Sequence, residues 1–208
     1  ADFDPKGRSD GEVMRFCQAL MLELHRHLGA DTDVPAGDIG VGAREVGYMA
    51  GMMKKLSNHA GSVFTGKGIA FGGSLMRPEA TGYGTVYFAQ EMLRKKQMGF
   101  DGRSVSISGS GNVAQYAVDK AIELGAKVIT LSDSGGTLVH EAGISSGMLE
   151  DLMDFKNVQR GRLKDYCKQH KLKFEADKRP WHVPVDIALP CATQNELDGA
   201  DAKHLIAN

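Results

Sequence analysis

Gly109-Ser110-Gly111-Asn112-Val113-Ala114 is a G-x-G-x-x-A run set between two segments of different periodicity. Residues 105–108 before it are β-prone. Val113, Tyr116, Ala117, Ile122 and Leu124 after it recur at helical spacing, and residues 128–131 form a second apolar strand. Strand, glycine turn, helix and strand in that order make a β-α-β unit, which demands a parallel sheet with a right-handed crossover. Each small residue of the turn has a task. The first glycine permits the tight turn, the second lets the backbone approach a pyrophosphate, and Ala114 allows close packing of helix on strand. The N-terminus of the following helix offers N–H groups and partial positive charge to phosphates. Alone, the hexapeptide is a weak signal, because two glycines in a turn are usually only a turn. Its context strengthens it. Asp133 ends the next strand, 133 − 111 = 22 positions after the second glycine, near the ~20 expected of a ribose-binding carboxylate. Dinucleotide binding through Gly109, Gly111, Asn112, Val113 and Asp133 is the reading this unit favours.

The chain ahead of this unit is helical. Ser9 with Glu12 forms a capping box, and Val13, Phe16, Cys17, Leu20, Leu24 and Leu28 then follow at helical spacing up to Gly29. His25 and His27, two apart, face different sides and cannot share a metal, so they read as surface or partner-facing residues. Residues 31–42 break into Asp, Pro and Gly, and residues 44–56 resume helical spacing. Pro78 reads as the first turn of a helix running to about Lys96. Beyond the fingerprint, residues 148–158 and 163–170 read as helices, 185–189 as a buried strand and 201–207 as a last short helix. The boundary between helical and α/β grammar falls between Ser74 and Pro78. Within the loop, Pro35-Ala36-Gly37-Asp38-Ile39-Gly40 is by itself a Pro/Gly turn with a solvated aspartate. Its functional reading is an acid/base carboxylate among small neighbours that let a substrate approach.

Charge and cysteine usage exclude several classes. Lys plus Arg number 25 against 26 Asp plus Glu, so no basic tract points to nucleic acid or an anionic membrane surface. Three scattered cysteines without C-x-x-C spacing argue against a disulfide framework or a zinc site and for a reducing cytoplasm. No apolar run approaches the ~18 residues that span a bilayer, and residues 1–5 lack the character of a signal peptide. Nucleophilic serine or cysteine motifs, H-E-x-x-H and P-loop patterns are missing. No metal site is expected.

Five further segments carry a family resemblance: Asp2-Phe3-Asp4-Pro5-Lys6-Gly7, Val13-Met14-Arg15-Phe16-Cys17-Gln18, Asp33-Val34-Pro35-Ala36-Gly37-Asp38, Arg77-Pro78-Glu79-Ala80-Thr81-Gly82-Tyr83-Gly84 and Pro190-Cys191-Ala192-Thr193-Gln194-Asn195. In this order, over essentially the whole chain, they resemble successive motifs of the hexameric microbial glutamate dehydrogenases. The resemblance implies a Rossmann-like α/β dinucleotide-binding domain over residues 77–208, incomplete, preceded over residues 1–76 by the helical end of a substrate and oligomerisation domain. It implies a homohexamer that interconverts L-glutamate with 2-oxoglutarate and ammonia. Asp38 would move a proton to and from the substrate nitrogen, and the backbone of Gly37 would contact the substrate. Thr81 would reach the nicotinamide carboxamide, Asn112 would hold the cofactor near its phosphates and ribose, and Asn195 would lie along the nicotinamide ribose. In the family a catalytic lysine, in a G-x-K-G-G stretch, lies just upstream of the position of Ala1. The chain is therefore expected to be an internal segment, not catalytic alone. A dehydrogenase of leucine, phenylalanine or valine, or a non-catalytic nucleotide-binding fragment, are the alternatives.

For the cofactor, motif and resemblance pull apart. Asp133 would ordinarily accept two ribose hydroxyls of NAD and repel a 2′-phosphate. Ser132-Asp133-Ser134-Gly135 resembles the stretch of NADP-linked members, in which hydroxyl and cationic partners bind the phosphate. Ser134 would donate to it, Lys156 occupies the position of such a cation, and Arg160, one helical turn on, would be a second. A solvated basic face is the competing reading of Lys156 and Arg160. NADP is the expected cofactor and NAD the weaker alternative.

Overall fold

A computed structural model describes residues 2–59, 61, 63–75 and 77–207. Met76, where the sequence reading ends the first segment, and the terminal Ala1 and Asn208 lie outside the described residues. The chain divides into two compact units, Ala1–Arg77 and Pro78–Asn208.

The first unit is built on helices α1 (Asp10–Leu24) and α2 (Ala43–Ser57). The capping box starts α1 as expected: Glu12 N donates to Ser9 Oγ at 3.3 Å and Ser9 N to the Glu12 carboxylate at 2.9 Å. The α-helix ends at Leu24, short of Gly29, and passes into a 3-10 turn, His25–His27. There His25 Nδ1 donates back to the carbonyls of Met21 and Leu22, at 3.1 and 3.0 Å. Met21, Val46, Ala50, Met53 and Phe64 bury the face shared by the two helices. The loop before α2 is anchored where Thr65 N donates to Pro35 O at 3.0 Å.

The second unit contains α3 (Ala80–Arg94), β1 (Ser104–Ile107), α4 (Asn112–Glu123), β2 (Lys127–Asp133), β3 (Gly136–Val139), α5 (Ser146–Asn157), α6 (Leu163–His170), β4 (Lys173–Ala176), β5 (Ile187–Leu189) and α7 (Gly199–Ala207). Pro78 lies in a turn two residues before α3 rather than in its first turn. The strands form one sheet in the order β4-β3-β2-β1-β5. β1 pairs in parallel with β2 and β5, the α/β core expected from the crossover grammar. The sheet is mixed rather than wholly parallel, because β3 and β4 join it antiparallel beyond β2.

The reason for that mixed extension is local. Ser134-Gly135 closes a two-residue hairpin in which Asp133 pairs with Gly136 and accepts a hydrogen bond from Gly135 N at 2.8 Å. Gly136 takes φ +145°, a conformation that side-chain-bearing residues rarely adopt. Helix α4 lays Ala114, Ala117, Val118 and Ala121 into the core, each fully buried, and α5 adds Leu149, Leu152 and Phe155.

Helices α3 and α4 touch at Gly82. A Cβ there would lie 2.6 Å from Val113 O and 2.7 Å from Tyr116 Cβ. Gly→Ala inside a helix ordinarily stabilises by roughly 1 kcal/mol. Gly82→Ala is instead expected to destabilise by about 1–3 kcal/mol through overpacking. Thermal unfolding reads the sign directly, and a raised Tm would contradict the close approach.

Candidate dinucleotide site

The fingerprint turn is clamped between two strand ends. Gly109 N donates to Ser132 Oγ at 2.9 Å, and Ser132 N donates to Gly109 O at 3.0 Å. Gly109 has φ +83°, and a Cβ would stand 2.8 Å from Cys191 O, so both conformation and space require glycine. Gly111 differs. It is the N-cap of α4 at φ −89°, open to any residue, and a Cβ there would meet no protein atom within 4 Å. Nothing among the described residues calls for its smallness. No side chain caps this end of α4, so the first N–H groups of the helix, which lack intrahelical partners, are available to an anion. Ala114 is fully buried and Val113 half-buried. Asn112 Nδ2 donates to Pro78 O at 2.8 Å, tying the fingerprint to the segment that leads into α3. Thr81, in the first turn of α3, is exposed.

Asp133 ends β2 with its side chain only 10% exposed, and both its oxygens are engaged. Oδ1 accepts from Gly135 N at 2.8 Å, and Oδ2 accepts from Leu163 N, the first residue of α6, at 3.2 Å. Lys156 Nζ lies 3.9 Å and Arg162 Nη2 3.6 Å from Oδ2. Arg162 also donates to Ser134 Oγ at 2.8 Å, which leaves the serine hydroxyl proton for another acceptor. Burial pushes Lys156 below the usual lysine range and Arg162 adds to this, while Asp133 opposes it. Two cations against one carboxylate leave a positive surplus that suits an anion.

Arg160, expected from the sequence as the second cation, is not there. It is exposed at φ +59°, with no ion pair among the described residues. Helix α5 stops at Asn157, so the one-turn spacing from Lys156 no longer applies. The chain folds back at Gly161, where Gly161 N donates to Phe155 O at 3.0 Å. Arg162, which the sequence reading missed, is delivered in its place. The signal available was Gly161 followed at once by the start of a helix.

Asn195 lies in an exposed turn after β5 with φ +58°. The following Glu196 fixes that turn, accepting from Trp181 Nε1 at 3.1 Å on its carbonyl and from Ala192 N at 3.1 Å on its carboxylate. Burial pushes the nearby Cys191 thiol up to about 12. In the other unit, Asp38 is held by a two-bond bridge: Asp38 N to Val41 O at 3.0 Å and Val41 N to Asp38 O at 2.8 Å. Its side chain is exposed, and no hydrogen bond or ion pair among the described residues occupies its carboxylate. A Cβ on Gly37 would lie 2.7 Å from Val41 O, which makes Gly37 a requirement of the turn itself.

Comparison with known proteins shows the family. Residues 72–208 match the model of the "Glutamate/Leucine/Phenylalanine/Valine dehydrogenase" family, and residues 1–55 match the model "Glu/Leu/Phe/Val dehydrogenase, dimerisation domain". The chain is 66% identical over its whole length to the NADP-specific glutamate dehydrogenase of Escherichia coli, covering 46% of that protein. It is also 66% identical to the enzyme of the same name from Haemophilus influenzae, again over 100% of this chain and 46% of the relative. It thus spans about half the length of the curated relatives it matches. The crystal structure of Plasmodium falciparum glutamate dehydrogenase superposes with a TM-score of 0.85 at 49% identity, over 100% of this chain and 44% of that one. The chain belongs to the Glu/Leu/Phe/Val dehydrogenase family.

Proposed function

We propose that this chain carries the NADP-binding and proton-transferring residues of a cytoplasmic, homohexameric glutamate dehydrogenase, which interconverts L-glutamate with 2-oxoglutarate and ammonia. The names of its 66%-identical relatives support the substrate and the cofactor. The three free thiols fit a reducing compartment, and the match to a dimerisation domain supports assembly. The observation that carries the cofactor reading is the occupation of Asp133. A carboxylate already accepting two backbone N–H groups, with Lys156 and Arg162 beside it, is poorly placed to accept two ribose hydroxyls and well placed to tolerate a 2′-phosphate.

When bound, the nicotinamide supplies the hydride chemistry. The chain's own residues bind, orient and move protons. The N–H groups of α4 and the open face of Gly111 receive the pyrophosphate. Ser134, Lys156 and Arg162 surround the 2′-phosphate. Thr81 and Asn195 orient the nicotinamide half, and Asn112 holds the cofactor near its phosphates and ribose, as in the family pattern. Asp38 exchanges a proton with the substrate nitrogen, and the adjacent Gly37 lets the substrate reach the backbone.

The test is Lys156→Glu in the full-length protein. A charge-assisted contact to phosphate contributes ~1.5–3 kcal/mol, or about tenfold to a hundredfold. The Michaelis constant for NADPH should rise by that factor, while that for NADH stays almost unchanged. An equal rise in both, or an unmodified protein that prefers NADH, would remove the 2′-phosphate from this site.

A further inference from the structure

The dinucleotide site holds a partly buried polar contact with no role in the reading so far. Gln115, on α4, is 1% exposed. Its Nε2 donates to Ser110 O in the fingerprint turn at 2.9 Å and to Asn157 Oδ1 at 3.2 Å. Asn157 Nδ2 donates back to Gln115 Oε1 at 2.9 Å. Asn157 is the last residue of α5 and the neighbour of Lys156. One buried side chain therefore grips the pyrophosphate turn and the helix end that presents the cation. We propose that the Gln115–Asn157 amide pair is a positioning device that sets the two phosphate-binding groups of the site relative to each other, and with them the preference for NADP over NAD. This rests on the proposed cofactor reading.

Two physical arguments support it. In a planar trans peptide the C=O and the following N–H point in opposite directions. Holding Ser110 O toward Gln115 therefore aims Gly111 N–H the other way, away from the Gln115 amide. Hydrogen bonds around a buried side chain also define a single geometry more sharply than apolar contacts do: Gln115 is buried although Asn157 is exposed, and among the described residues no buried side-chain N or O atom lacks a partner. The two amides differ in what they hold. Gln115 holds the pyrophosphate turn, which NAD and NADP share, as well as Asn157. Asn157 governs the end of α5, and hence Lys156, which only the 2′-phosphate uses.

The test compares Asn157→Leu and Gln115→Met in the full-length protein, with NADPH and NADH as paired probes and Lys156→Gln as a second background. Asn157→Leu should raise the Michaelis constant for NADPH about tenfold, as for one misplaced charge-assisted bond. Turnover and the constant for NADH should be almost unchanged. Gln115→Met, which releases the turn and Asn157 together, should raise both constants, that for NADPH further. In the Lys156→Gln background, Asn157→Leu should add nothing, since its effect passes through the missing cation. Asn157→Leu raising both constants equally, changing neither, or adding fully to Lys156→Gln would overturn the proposal. Those results leave the cofactor reading intact as long as the unmodified protein prefers NADPH. If it prefers NADH, the cofactor reading fails and this inference fails with it.

Discussion

Asp38→Asn in the full-length protein is expected to lower turnover by ~10²–10⁴-fold, the usual contribution of general acid–base catalysis. Folding and cofactor affinity should stay nearly unchanged. The expectation of an intact fold comes from the geometry: the Asp38–Val41 bridge is made by backbone atoms, and no described residue pairs with the carboxylate. An amide keeps that shape, yet it cannot take up the proton of the substrate nitrogen. Steady-state kinetics with circular dichroism separates the two effects. Turnover within about tenfold of the unmodified protein, below the range for a catalytic acid or base, would take Asp38 out of the mechanism.

Gly111→Val should weaken dinucleotide binding by at least about a hundredfold, roughly 2.7 kcal/mol, with little change in thermal stability. The backbone at Gly111 is extended and accepts any residue, and the added carbons would meet no protein atom within 4 Å. They would instead fill the space through which a pyrophosphate reaches the N-terminus of α4. Gly109→Val is the contrasting control, expected to disrupt the fold, because φ +83° and Cys191 O at 2.8 Å leave no place for a side chain. Calorimetry with NADP and with NAD decides the first point. An unchanged dissociation constant for Gly111→Val would reduce the G-x-G-x-x-A run to a simple turn.

The predictions differ in how far each could be argued from residues alone. Asp38 and Gly111 stand out as motif residues, and their neighbours in the chain explain their geometry. Asn157 and Arg162 carry no motif. Helical spacing from Lys156 points to Arg160, but α5 stops at Asn157. The apolar run from Val185 predicts a strand that in the structure begins at Ile187, a shift of the size expected at element ends.

What the sequence determined by itself is whatever near neighbours encode. The apolar periodicities produced α1, α2, α4, α5 and α6 within a few residues, the Ser9–Glu12 box set the start of α1, and the glycine turn fell at the head of α4. Only the tertiary structure decided what depends on distant segments meeting. The antiparallel β4 edge needed Gly136 to pair with the distant Ala176. Asp133 looked like a bare ribose ligand until Leu163, thirty positions on, supplied an N–H to it. Gln115 and Asn157, separated by 42 positions, became partners through the packing of α4 and α5. Periodicity reports which face of an element is apolar. It carries no information about which polar group another element will bring within 4 Å, and that is what turned a ribose-type aspartate into the anchor of two cations.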